Sequence, residues 1–185
     1  MRWDALFADL EAQFDALAAA ERDAEIADRT RSEVGRLGMT DRLRGAIGTQ
    51  LRVACRGDLT LTGRLDRVHP EWMLLAEAAG QETLLATHGV LSVAGLTRLA
   101  AAPDGMSLVD ARFGLQLALR GIARDRSPTR LHLTDATMVD GTVDRVGADF
   151  VEVAVHPLGE PRRRSTVSQT VLVTTSAIVA LRRNA

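Results

Sequence analysis

Few residues in this chain are of types that do chemistry, and their spacing argues against most of it. His69, His88, His132 and His156 fall near the ends of predicted strands without metal-ligand spacing, and no thiol or carboxylate pair accompanies them closely. Cys55 is the only cysteine and lies in a predicted strand, so it forms no intramolecular disulfide and reads as a buried structural thiol. No phosphate-cradling glycine loop precedes a helix, and no serine or cysteine has a nucleophile context. The expectation is a protein that is not an enzyme and holds no metal or cofactor. What remains is guanidinium chemistry. Arg162, Arg163 and Arg164 are adjacent in a predicted loop, and with Arg182 and Arg183 they would form a basic edge suited to phosphate groups, hence to RNA. Three arginines without interleaved aromatics also describe an ordinary solvated loop. The net charge of −1 gives no global basic field, so any nucleic-acid contact must be local.

Two short matches carry little. Arg56-Gly57-Asp58 spells an integrin-recognition tripeptide but sits where a turn is expected, and Gly45-Ala46-Ile47-Gly48 matches the loop of KH-type domains among strands rather than the helix pair that loop requires.

The elements that must position these residues come from an internal repeat. Gly63-Arg64-Leu65-Asp66-Arg67-Val68 returns as Gly141-Thr142-Val143-Asp144-Arg145-Val146, an offset of 78 (141 − 63), and an aromatic, Trp72 or Phe150, opens the next apolar run in each copy. Leu43-Arg44-Gly45 returns as Leu119-Arg120-Gly121, an offset of 76 (119 − 43). Thr83-Leu84-Leu85-Ala86-Thr87 answers to Thr170-Val171-Leu172-Val173-Thr174, an offset of 87 (170 − 83). The offset grows between the third and fourth strands, so the second copy carries a longer connection there. Alternation predicts strands near 50–55, 59–68, 72–77, 82–87 and 90–93, and again near 129–134, 137–146, 149–156, 169–174 and 177–181. Asp66-Arg67 and Asp144-Arg145 read as structural groups beside a bend in each long second strand, and Trp72 and Phe150 as core residues.

Helices precede each copy: Thr40 to Ile47 before the first, about Leu108 to Arg124 before the second. Ahead of both, residues 3–36 have helical periodicity. Trp3, Leu6, Phe7, Leu10, Phe14 and Leu17 make an apolar stripe opposite acidic residues, which either covers a barrel of its own chain or docks a partner. Its polar face is acidic, against a membrane-surface role, and nothing approaches a membrane-spanning run, so the expected location is the cytoplasm.

In strand order and glycine placement the pattern resembles the Sm/LSm family, the small bent β-barrels of RNA-associated ring proteins that includes Hfq. The resemblance covers roughly 40–97 and 116–183, leaving the N-terminal amphipathic helix of residues 1–38 outside, and implies a mainly β protein: 39–99 a first five-stranded Sm-like barrel, 100–128 a linker and helix, and 129–185 a second barrel in tandem. It also implies RNA association and oligomers built by pairing exposed strand edges. The turns depart from that family's nucleotide pocket. His69-Pro70-Glu71 and Gly147-Ala148-Asp149 lack the asparagine, and Thr87-His88-Gly89 and Thr174-Thr175-Ser176 lack the Arg-Gly pair. The chain is therefore expected to be a non-catalytic Sm-like protein, RNA-associated through the Arg162–Arg164 loop, or alternatively a scaffold for protein partners or further copies without nucleic acid. Both readings assume that the halves close separately.

Overall fold

A computed structural model describes residues 2–97, 99–101, 113–158, 163 and 166–183. The chain divides into two units, Met1–Gly38 and Met39–Ala185. The first contains one helix, α1 (Arg2–Val34), a stretch without glycine or proline and rich in strong helix formers. Exposed pairs such as Arg29 with Glu25 at 2.7 Å support it by a few tenths of a kcal/mol each. Trp3, Phe7, Leu10, Phe14 and Leu17 are exposed; the Leu6 side chain lies outside what the structure describes. At about 100° per residue, Ile26 and Val34 fall off that stripe. Only the first half of α1 is therefore amphipathic.

The second unit runs α2 (Met39–Arg44), β1 (Gln50–Cys55), β2 (Thr60–Val68), β3 (Trp72–Ala76), β4 (Glu82–Ala86), β5 (Val90–Ala94), α3 (Leu115–Asp125), β6 (Thr129–Leu133), β7 (Met138–Val146), β8 (Phe150–Val155), β9 (Gln169–Thr174) and β10 (Ile178–Arg183). The helix expected from Leu108 starts at Leu115. Gly114 stands before its first turn, and the Glu71 carboxylate of the first repeat accepts the Leu115 N–H at 2.7 Å; residues 108–112 lie outside the described ones.

The two repeats match pair for pair. Leu51 opposite Gly63 becomes Thr129 opposite Gly141, and Val53 opposite Val93 becomes Leu131 opposite Leu181. Each long second strand carries a bulge at the same place, between Leu65 and Arg67 and between Val143 and Arg145. Both glycines of the repeat are needed for close approach: a Cβ on Gly63 would lie 2.8 Å from the Ala76 carbonyl oxygen, and one on Gly141 2.1 Å from that of Ala154.

One correction concerns register. Trp72 pairs with Ala86 and Phe150 with Thr174, so the last two strands are offset by 88 (174 − 86), not 87. Leu84 therefore corresponds to Leu172, and Val179 to Leu91. A slip of one residue exchanges every side chain between the faces of a strand.

The larger correction concerns closure. The chain does not form two Sm-like barrels; it forms a single open antiparallel sheet of ten strands, ordered β5-β1-β2-β3-β4-β10-β6-β7-β8-β9. In each repeat the fifth strand returns to the first, and β4 pairs with β10 instead of β5, through Leu85 opposite Ala180, Leu84 opposite Leu181 and Thr83 opposite Arg182. An unpaired edge strand takes whichever partner is presented, and the second repeat presents one. Two cores persist on opposite faces of this seam. Leu85, Val179 and Ala180 join the first with Leu43, Leu51, Leu65 and Met73; Leu84, Ala86, Ile178 and Leu181 join the second with Leu115, Leu119, Val143 and Val153.

Candidate assembly interface

Of the five arginines of the expected basic edge, Arg182 and Arg183 are ion-paired. Arg182 Nη2 lies 2.5 Å from Glu77 Oε2 across the seam, and Arg183 Nη2 lies 3.4 Å from Asp125 Oδ2. Arg163 is exposed; Arg162 and Arg164 lie outside the described residues. The carboxylates of the bend find other partners than their neighbours, Asp66 with Arg64 at 3.1 Å and Asp144 with Arg126 at 3.5 Å.

Of the groups with reactive potential, His88 is exposed, and the Nε2 atoms of His69 and His132 are buried without a hydrogen-bond partner. Burial pushes the Cys55 thiol up to about 11, so it stays protonated. His156 is buried. Its Nδ1 must donate to the Pro157 carbonyl at 3.0 Å, which leaves Nε2 to accept from the Thr142 hydroxyl at 2.8 Å. His69 stacks on Trp72 at 5.8 Å and accepts the Glu71 N–H through Nδ1 at 3.1 Å, while the indole N–H of Trp72 donates to the Phe113 carbonyl. Phe150 folds over its own turn, where a Cβ on Gly147 would meet the ring at 2.3 Å. His132 is depressed below its ordinary range, first by burial and then by Arg182 and Arg130. Among the described residues no group of three or more His, Cys, Asp or Glu could hold a metal, and no helix is long and apolar enough to cross a membrane.

What the structure does present are the two ends of the sheet, β5 and β9. They are the counterparts of β10 and β4, the strands that meet at the internal seam. Leu84 on β4 is 7% exposed, whereas its counterpart Leu172 on β9 is 59% exposed. Val179 on β10 is 0% exposed, whereas its counterpart Leu91 on β5 is 64% exposed. Neither edge strand contains proline or a charged residue, the usual devices that keep an edge single. The repeat made these edges legible in the sequence, but the register of 87 paired Leu172 with Leu85, which faces the first core. The free edges differ from the seam in several places: β8 carries Glu152 where β3 carries Leu74, β9 carries Thr174 where β4 carries Ala86, and Ala94 and Val171 stand where the seam has Arg182 and Thr83. Neither a protein-family model nor a curated protein matches the chain.

Proposed function

We propose that this protein is a non-catalytic assembly module whose copies join head to tail, the β5 edge of one adding to the β9 edge of the next. The observation that carries this reading is the internal seam. The chain already performs the junction once, between β4 and β10, and the residues it covers there are uncovered at the outer edges. Repeating the seam between chains sets Ser92 opposite Val173, Val93 opposite Leu172 and Ala94 opposite Val171, from the pairs Ala180 with Leu85, Leu181 with Leu84 and Arg182 with Thr83. A heterologous contact of this kind closes into a ring or continues as a filament. With Glu152 in place of Leu74, the contact between chains is weaker than the seam within one.

Burying Leu91 and Leu172 further contributes about 1 kcal/mol each, which corresponds to roughly a fivefold to tenfold change in dissociation constant per site. Light scattering on the full chain over a concentration series should show mass rising with concentration. Leu91→Arg and Leu172→Lys should each remain monomeric, yet a mixture of the two should give heterodimers and nothing larger, because each keeps one intact edge. A wild-type chain that stays monomeric, or variants that assemble like it, would sink the proposal. Absorbance at 260 nm in the same runs reports bound nucleic acid, which the Arg162–Arg164 reading requires.

A further inference from the structure

The duplication marks one helix face that is covered in the first repeat and, among the described residues, bare in the second. In the first repeat the chain leaving β5 turns back across α2. Gly95 makes the turn with φ +94, Arg42 donates to the carbonyls of Leu99 at 2.8 Å and Thr97 at 2.6 Å, and the Ala101 N–H donates to the Asp41 carbonyl at 3.0 Å. This extended backbone crosses Gly45 so closely that a Cβ there would lie 2.8 Å from Ala100 Cα and the Leu99 oxygen. Glycine is required beneath it.

The counterpart of Gly45 is Gly121, near the middle of α3, where a Cβ would meet nothing within 4 Å. An interior helix glycine costs about 1 kcal/mol relative to alanine, and no contact among the described residues explains it. Gly121 instead lines an open groove of about 290 Å³, near the small end of ligand sites (about 300 Å³). Its floor is aliphatic: Leu74, Leu84, Ala118, Ile122 and Leu181. Ala118 and Gly121 stand where Arg42 of α2 and Gly45 just past its end stand, so this is the face the extended segment covers in the first repeat. The chain's own continuation is a poor occupant. Arg183 stands at the position of Gly95, and the left-handed turn made there suits glycine far better than arginine.

We infer that this groove binds an extended peptide of a partner protein, one that carries a basic residue beside aliphatic ones. The rim supplies the charge preference. Glu82 and Asp125 stand at the mouth, Arg183 pairs with Asp125 at 3.4 Å, and Glu82 is exposed with no ion pair among the described residues. A peptide guanidinium or ammonium answers that carboxylate while small and leucine-like side chains enter the floor.

The probe is a capped peptide of this chain's own sequence 96–101, Leu-Thr-Arg-Leu-Ala-Ala, titrated into the isotope-labelled full chain and followed by amide shifts. Saturable shifts are expected on Glu82, Gly121 and Ile122. Gly121→Leu, which fills the groove with a good helix former, should weaken binding at least tenfold while the melting temperature holds or rises. Glu82→Gln should weaken it severalfold, and so should aspartate in place of the peptide arginine. Shifts that never saturate, shifts confined to other strands, or full binding by Gly121→Leu would each overturn the inference, as would equal binding of the aspartate peptide.

Discussion

Removing either partner of the Arg182–Glu77 pair tests the seam on which the fold turns. Arg182 reaches Glu77 with two nitrogens, Nη2 to Oε2 at 2.5 Å and Nε to Oε1 at 3.2 Å, across 105 residues of sequence. The Thr83 hydroxyl donates to the same carboxylate, so all three groups hold one another across β4 and β10. Breaking a fully buried pair by deleting one partner costs about 3–5 kcal/mol, because the other charge is left uncompensated. Here the side chains keep 27% and 13% of their surface exposed, so water relieves part of that penalty and the expected cost is about 2 kcal/mol for Arg182→Ala or Glu77→Ala. The double variant should cost less than the two singles together by about 1–2 kcal/mol, since it leaves no orphaned charge. Calorimetric melting of the full chain and the three variants measures the cycle. If the halves closed as independent barrels, two residues so far apart in sequence would not be coupled. Strictly additive singles, or singles without cost, would refute the seam.

Two further outcomes follow from local geometry. Gly57 has φ +69 and a Cβ there would sit 2.3 Å from the Leu133 oxygen, so Gly57→Ala should cost at least about 2 kcal/mol, whereas Gly48→Ala, at φ +87 in open space, should cost only about 1 kcal/mol, both read by denaturant melts. His132 is held below its ordinary 6.5 in the folded chain, so below that pH the unfolded chain takes up a proton that the folded chain refuses. Stability is thus complete above about pH 6.5 and falls as acid is added; His132→Gln should flatten that decline in melting temperature, and an unchanged slope would dispose of the burial given for it.

The elements were legible because each obeys a local rule. Leu51, Val53 and Cys55 alternate inward on β1, and Leu61, Gly63 and Leu65 on β2, as a half-buried strand requires. Long-range pairing was not legible, because β4 offers the same unpaired backbone to β5 as to β10. One signal was present in the apolar runs. Trp72-Met73-Leu74-Leu75 and Leu84-Leu85-Ala86 do not alternate, and a strand apolar on both sides is buried on both. The second repeat has Glu152 in place of Leu74 and Thr174 in place of Ala86, which marks its strands as open on one side. The partners of Arg182 and Arg183 were not legible for a related reason. Adjacency in sequence says nothing of what stands opposite, and Glu77 and Asp125 stand opposite Arg182 and Arg183.

The merged sheet removes the separate closure that both functional readings first assumed, yet it supplies a stronger ground for one of them. Two independently closed barrels would leave open how a second copy is approached. The seam inside the chain instead supplies a template of partner strands, register and direction for the proposed junction, in strands whose counterparts are uncovered at each end. A free edge without charge or proline is normally a hazard that a folded protein blunts. Neither β5 nor β9 carries a charge or proline within the strand, while the polar substitution at Glu152 keeps the outer face less sticky than the inner one. That combination is what a reversible junction between copies requires: a backbone template left open for pairing, and less apolar surface behind it than the permanent seam has.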